Sequence, residues 1–237
     1  MISNVKLLKK ESVAEGTMAF HFSKPEGFDF RAGQFAEFAL IDPKETDEEG
    51  SSRAFSLVQS PDETQIIFAT RMRDSAFKRV MKDMPIGSEI KLDGPYGDYT
   101  LHKTETTPAV FIIGGIGVTP VHSMIEQATH DKTNHQIILI HSSGTPAQLP
   151  LNTEFRKLAK ENPKFSYVEV ASDSAPDDWT GERGRVDAEM VKKHIPDLTS
   201  PIYYLSGPEG MVKAMRRLLI ELKVNEDNIR TEEFPGY

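Results

Sequence analysis

The segment at 109–120, Ala-Val-Phe-Ile-Ile-Gly-Gly-Ile-Gly-Val-Thr-Pro, has the residue types to hold a nucleotide. A buried-strand pattern runs into Gly114, Gly115 and Gly117, and a helical pattern follows. Glycine lets a backbone turn sharply and lets a pyrophosphate approach with no side chain in the way. The helix N-terminus beyond offers free N–H groups and a partial positive charge. Val118 completes the turn, Thr119 can cap the helix, and Pro120 suits its first turn, where a missing N–H costs nothing. The fingerprint G-x-G-x-x-G is met at Gly115 and Gly117 but not at Pro120. A tight strand–helix turn would use the same glycines, but the strand before and the helix after favour a nucleotide.

Three further segments carry polar groups at suggestive spacing. In Arg53-Ala54-Phe55-Ser56, an arginine can hold a phosphate with several fixed donors. Phe55 points the same way along a strand and can lie against a ring, and the Ser56 hydroxyl can bond a ring heteroatom. Alone, this pattern also fits an ordinary edge strand. In the run from Thr70, Arg71 and Met72 to Asp74, Ser75, Ala76 and Phe77, a strand ends and a helix begins. That start can be capped by Asp74 or Ser75 or can seat a phosphate. In the run from Tyr203 to Met211, Ser206, Gly207 and Pro208 fall where a strand ends. In a parallel sheet that is the carboxyl edge, where ligands bind.

The elements that must position these groups divide the chain. Short apolar or alternating runs at 2–8, 17–23, 34–40, 54–59, 65–71 and 89–93 read as strands, with one helix over 75–84. Strands at this spacing predict a small antiparallel barrel over residues 1–103. Residues 42–52 (DPKETDEEGSS) read as a mobile, solvated acidic loop. From 104 to 237 strands alternate with helices: strands at 109–113, 136–141, 165–171, 202–206 and 229–234, helices at 120–130, 152–161, 187–194 and 209–223. That alternation predicts a parallel sheet with helices on both faces.

Composition narrows the function classes. There is no cysteine among 237 residues, which excludes disulfides, thiolate metal sites and a cysteine nucleophile. Acidic residues (36) outnumber Lys and Arg (28), a balance that argues against nucleic acid. No apolar run is long enough to span a bilayer, so a cytoplasmic protein is expected. The histidines show no metal spacing; His122, His130 and His135 read as surface residues, and Trp179 as a packing anchor in a loop. No metal is expected.

In this order, R-x-F-S, G-P-Y-G, G-G-I-G-V-T-P and S-G-P, with the terminal Glu232-Glu233-Phe234-Pro235-Gly236-Tyr237, resemble the ferredoxin–NADP reductase-like flavoprotein family along essentially the whole chain. The resemblance implies a flavin-binding barrel and an NAD(P)-binding α/β domain. It gives Arg53 a flavin phosphate, Phe55 the isoalloxazine face and Ser56 a place near flavin N5. Ala54, residues 70–72 and residues 74–77 would hold the rest of the flavin. Gly114, Gly115, Gly117, Val118, Thr119, Pro120, Ser142, Ser143, Gly207, Pro208 and Met211 would receive the dinucleotide. Phe234 or Tyr237 would shield the flavin, and Ser56, Ser206 and Glu233 would form the catalytic set. The family usually has cysteine where this chain has Ser206, which implies a slower hydride step.

The implied activity passes hydride from NAD(P)H to bound FAD, with FMN less favoured, and then electrons to a separate acceptor. That acceptor would be a ferredoxin- or flavodoxin-type protein or a small molecule. The turn at 141–146 (His-Ser-Ser-Gly-Thr-Pro) holds no arginine for a 2′-phosphate and no carboxylate for a ribose diol, which leans to NADH. Arg156 and Arg183 could approach from elsewhere. Two alternatives stay open: a non-catalytic flavin- or dinucleotide-binding module, and a reductase that uses free flavin as substrate.

Overall fold

The computed structural model describes residues 1–234. Six strands form the first sheet: β1 (Ile2–Ala14), β2 (Thr17–Ser23), β3 (Phe35–Leu40), β4 (Ser52–Ser56), β5 (Gln65–Arg71) and β6 (Glu89–Tyr96). Their order is β4-β3-β6-β1-β2-β5, and every pairing is antiparallel. The two outer strands meet just past β4, where Val58 N donates to Ile67 O (2.9 Å) and Ile67 N to Gln59 Oε1 (2.9 Å), closing the barrel.

The barrel is filled by aromatic rings. Phe68 stacks on Phe20 (5.1 Å), on Phe22 (5.6 Å) and, almost parallel, on Phe55 (4.2 Å). Helix α1 (Ala76–Asp83) plugs one end with buried Phe77 and Met81. Ser75 caps it, its hydroxyl accepting from Lys78 N.

The second sheet is wholly parallel, in the order β10-β9-β8-β7-β11-β12. Its strands are β7 (Ala109–Gly114), β8 (Ile137–Ser143), β9 (Phe165–Ala171), β10 (Glu182–Arg183), β11 (Ile202–Gly207) and β12 (Ile229–Glu233). The two-residue β10 carries no periodicity and is not visible in the sequence pattern. Strand β7 alternates cleanly between the two faces. Ala109, Phe111 and Ile113 pack with helices α2 (Thr119–His130) and α3 (Asn152–Glu161), while Val110 and Ile112 pack with α4 (Ala188–His194) and α5 (Glu209–Glu221). Helices therefore cover both faces, as parallel sheets require.

The α2 side of the sheet also carries the interface with the barrel. Val58, Ala69 and Tyr99 share one apolar cluster with Phe111, Val121 and Tyr204. Buried polar bonds pin α2 to the barrel rim: His122 Nδ1 to Val58 O (3.0 Å) and Ser123 Oγ to Gln59 O (2.6 Å). His122 and His135 are therefore buried, at 5% and 4% exposed, contrary to their surface reading. His122 lies on the barrel-facing side of its helix, and His135 Nε2 bonds His102 O in the connection between the sheets (3.0 Å). The acidic loop also departs from expectation: it is tied down onto α1.

Candidate functional site

A cleft opens where the barrel faces the carboxyl edge of the parallel sheet. Thr17 and Arg71 line it from the barrel; Gly114, Gly115, Ile116, Ser142, Ser143, Gly144, Ser172, Pro208 and Met211 line it from the sheet. It brings together seven residues expected to hold cofactors: Arg71, Gly114, Gly115, Ser142, Ser143, Pro208 and Met211. Gly117, Val118, Thr119, Pro120 and Gly207 lie behind its lining.

Those hindmost residues shape the cleft by packing. A Cβ on Gly117 would lie 2.6 Å from Gly207 N, one on Gly114 would lie 2.5 Å from Met211 Sδ, and one on Gly207 would lie 2.8 Å from Gly114 O. The tips of β7 and β11 thus touch backbone to backbone. Only Gly115 (φ +51°) and Gly207 (φ +134°) also need glycine's conformational freedom. A 3₁₀ turn over Gly115–Val118 leads directly into α2. Thr119 does not cap that helix: its buried hydroxyl donates back to Ile116 O (3.1 Å), so it supports the turn from within.

His141 braces the same turn from below. It is fully buried, with Nε2 3.1 Å from Gly115 O and Nδ1 3.2 Å from the Tyr167 hydroxyl. The neutral tautomer that satisfies both contacts donates from Nε2 and accepts at Nδ1. Burial pushes its pKa down to about 4, despite the Gly115 bond that favours charge.

Ser206, 1% exposed, donates to Gly117 O (2.7 Å), so its proton is committed to holding the glycine turn. Beside it in register is Glu232 on the neighbouring strand. Among the described residues Glu232 Oε2 is buried without a hydrogen-bond partner, and burial with the nearby Asp98 charge raises its pKa to about 7. Burial raises the pKa of the nearby Tyr99 phenol, and the Glu232 charge adds to that rise while Ser206 opposes it. Glu233, by contrast, is exposed and on the opposite face, where its charge acts on Lys213 of α5. The carboxylate at the domain junction is therefore Glu232, one residue before the position expected. Phe234 follows β12, its N–H donating to Gly207 O (3.2 Å); Tyr237 lies outside the described residues.

On the barrel, Ser56 is buried at the end of β4 and Phe55 is half-buried over Phe68 and Phe77. Arg53 sits 5.5 Å from the Phe77 ring. Its Nη2 meets Asp47 Oδ1 (2.8 Å) and Glu49 Oε2 (3.0 Å), and its Nη1 meets the carbonyls of Glu49, Gly50 and Ser52. Asp47 Oδ2 also accepts from Ala76 N at the start of α1 (2.9 Å). This donor set holds an oxyanion already, so it is chemically suited to a flavin phosphate. Asp74 is exposed and pairs with Arg79, while Thr70 lies near the end of β5 and Met72 just past it, with Met72 N bonded to Gly16 O (2.8 Å). Ala54 is exposed on β4.

Residues 111–217 match the oxidoreductase NAD-binding domain family. The fold of the whole chain is the ferredoxin–NADP reductase-like one. It superposes on the flavohem-like FAD/NAD-binding domain of nitric oxide dioxygenase from Vibrio cholerae with a TM-score of 0.84, at 18% identity and covering 98% of both chains. It superposes on a ferredoxin NADP⁺ reductase from Neisseria gonorrhoeae, solved with bound FAD and NADP, with a TM-score of 0.81, at 24% identity and covering 98% of both. Among curated proteins, the phenol hydroxylase P5 protein of Acinetobacter pittii is 29% identical, over 87% of this chain and 58% of that protein. The glycine betaine monooxygenase reductase subunit of Chromohalobacter salexigens is 26% identical, over 91% of this chain and 60% of that protein. The chain thus spans about three-fifths of the length of these two relatives.

Within the second domain, one residue with no signal in the sequence pattern stands beside the cleft. Asp173, just past β9, donates its N–H to Gly144 O (2.9 Å), and a Cβ on Gly144 would lie 3.0 Å from Asp173 Oδ2. A carboxylate from the segment after the next strand therefore lies beside the turn after β8, which has none of its own. Arg156 and Arg183 are engaged elsewhere, Arg156 with Glu169 and Arg183 with the carbonyls of Ala175 and Pro176.

Two predictions follow from the packing. Gly117→Ala should destabilise the fold by about 1–3 kcal/mol, because its Cβ meets backbone that must move. The same variant should weaken dinucleotide binding, whereas Gly210→Ala, with open space around it, should do neither. Urea unfolding and nucleotide titration of both variants check this. His141 is protonated more readily when unfolded, so the stability it allows above about pH 6.5 is lost as pH falls toward 4. His141→Gln should therefore flatten the decline in unfolding free energy between pH 6.5 and 4; parallel curves would contradict the assignment.

Proposed function

We propose that this chain is an NADH-dependent flavoprotein reductase that feeds a separate electron acceptor. The observation that carries the reading is the shared cleft, in which barrel residues Thr17 and Arg71 face the glycine turn, Ser142–Gly144 and the Pro208–Met211 helix start. FAD bound on the barrel would supply the conversion of a two-electron donor into one-electron output. Arg53 and the α1 N-terminus would hold its phosphate, Phe55 would support its ring system and Ser56 would offer a hydroxyl beside it. The N–H groups of the turn after β7, where Gly115 and Ile116 line the cleft, and the Arg71 guanidinium would bind the dinucleotide's pyrophosphate. Ser206, its proton held by Gly117 O, acts as an orienting group that keeps the β7 and β11 tips in place. Glu232 carries a proton at its carboxyl near neutrality and releases it as pH rises through about 7.

Asp173 supports NADH over NADPH. A carboxylate accepts hydrogen bonds from a free ribose diol and repels a 2′-phosphate. A separate acceptor fits the absence of cysteine from these 237 residues, which leaves no thiolates for an iron–sulfur centre. Among the described residues, no helix is long and apolar enough to cross a membrane.

The coenzyme reading is tested by steady-state reduction of ferricyanide. NADH should exceed NADPH in kcat/KM, and Asp173→Ser should reduce that preference by about tenfold, equivalent to about 1.4 kcal/mol of transition-state discrimination. Equal use of the two nucleotides by the unaltered chain would remove the NADH assignment.

A further inference from the structure

We propose that the loop between β3 and β4 is a displaceable internal competitor for flavin: the Asp47 carboxylate occupies the anion position formed by Arg53 and the start of α1, and flavin enters by exchanging its phosphate for that carboxylate. The inference rests on the flavoprotein reading and adds a control on cofactor uptake.

The contacts of Asp47 match those a phosphate oxygen would make. One carboxylate oxygen takes Arg53 Nη2 (2.8 Å) and the other takes the first N–H of α1 (Ala76 N, 2.9 Å). The Glu49 carboxylate, the carbonyls of Glu49 and Gly50 in the same loop and that of Ser52 at the start of β4 also engage the Arg53 guanidinium. A phosphate therefore reaches these donors only if the loop yields them. Local charge calls for an anion here: Lys78 is half-buried on α1, and neighbouring Arg73 and Arg53 add to burial in lowering its pKa. Five acids and one lysine lie in residues 41–51, which supply the countercharge.

The loop is built to detach. Its second anchor, Glu45 on Arg79, is an exposed pair with side chains 42% and 47% exposed. Exposed pairs of this kind hold weakly and are screened by salt. Asp47 and Glu49 lie 30% and 75% exposed, and Ile41, the loop's one large apolar side chain, is exposed as well. A phosphate carrying more charge and more acceptor oxygens can replace a carboxylate on the same donors. If the loop occupies the site nine-tenths of the time, apparent flavin affinity falls about tenfold.

The test is equilibrium titration of the flavin-free protein with FAD and with riboflavin, which has the same ring system and no phosphate. Asp47→Asn should tighten FAD about tenfold and leave riboflavin within twofold. Glu45→Gln, which cuts only the outer anchor, should tighten FAD by a smaller factor. With the unaltered chain, FAD but not riboflavin should speed tryptic cleavage after Lys44, since exchange frees the loop. Urea unfolding of each variant confirms that it is folded. Unchanged or weaker FAD binding by both variants, with riboflavin still bound, overturns the competitor and leaves the flavoprotein reading intact; Asp47 would then orient Arg53 toward the phosphate. If neither flavin binds the unaltered chain or the variants, the flavoprotein reading falls and the competitor with it.

Discussion

The tips of β7 and β11 touch without a single Cβ between them, and the site is organised around that contact. Gly114, Gly117 and Gly207 each face backbone or a close side-chain atom where a methyl group would go. The contact fixes the direction in which the chain leaves β7, and hence where the first N–H groups of the following turn point. His141 supports that turn from beneath and Ser206 from the side, each through a single buried hydrogen bond to a glycine carbonyl. Both supports require neutral, fully desolvated side chains, and the fold provides them.

The same helix that starts at this turn also joins the domains. His122 and Ser123 of α2 bond the backbone just beyond β4, and Tyr204 of β11 bonds His102 N in the connection between the sheets (2.8 Å). Arg230 of β12 bonds Thr100 O (3.0 Å) and lies 5.4 Å from the Tyr204 ring. The strands that carry Ser206 and Glu232 are thus tied to the barrel, whose strand β4 carries Arg53, Phe55 and Ser56. Hydride chemistry between two cofactors depends on such fixed geometry, because small misplacement costs rate steeply.

Both sheets were legible in the sequence because period-2 and short apolar runs report burial directly. Helix α3 and strands β2, β5 and β9 lie where the pattern puts them. The glycine turn was legible too, although its glycines serve close packing as much as ligand approach. Long-range contacts were not legible. Nothing in the run DPKETDEEGSS says that Asp47 would fold back onto Arg53 and α1, since charge pattern carries no direction. Asp173 was not legible because it lies beyond the turn after β8, and only strand order brings the end of β9 beside that turn. Glu232 and Glu233 differ only in which face of β12 they occupy, and that parity is set by pairing with β11. Thr119 looked like a cap by type and position, but burial turned its hydroxyl back to Ile116 O.

The central claim is that the barrel and the NAD-binding domain act together on one electron path. The direct measurement is the anaerobic visible spectrum of the protein reconstituted with FAD, titrated with NADH. The account predicts flavin absorption bands that bleach stoichiometrically with NADH. A protein that takes up no FAD, or one whose bound flavin stays oxidised under excess NADH and NADPH, would contradict it.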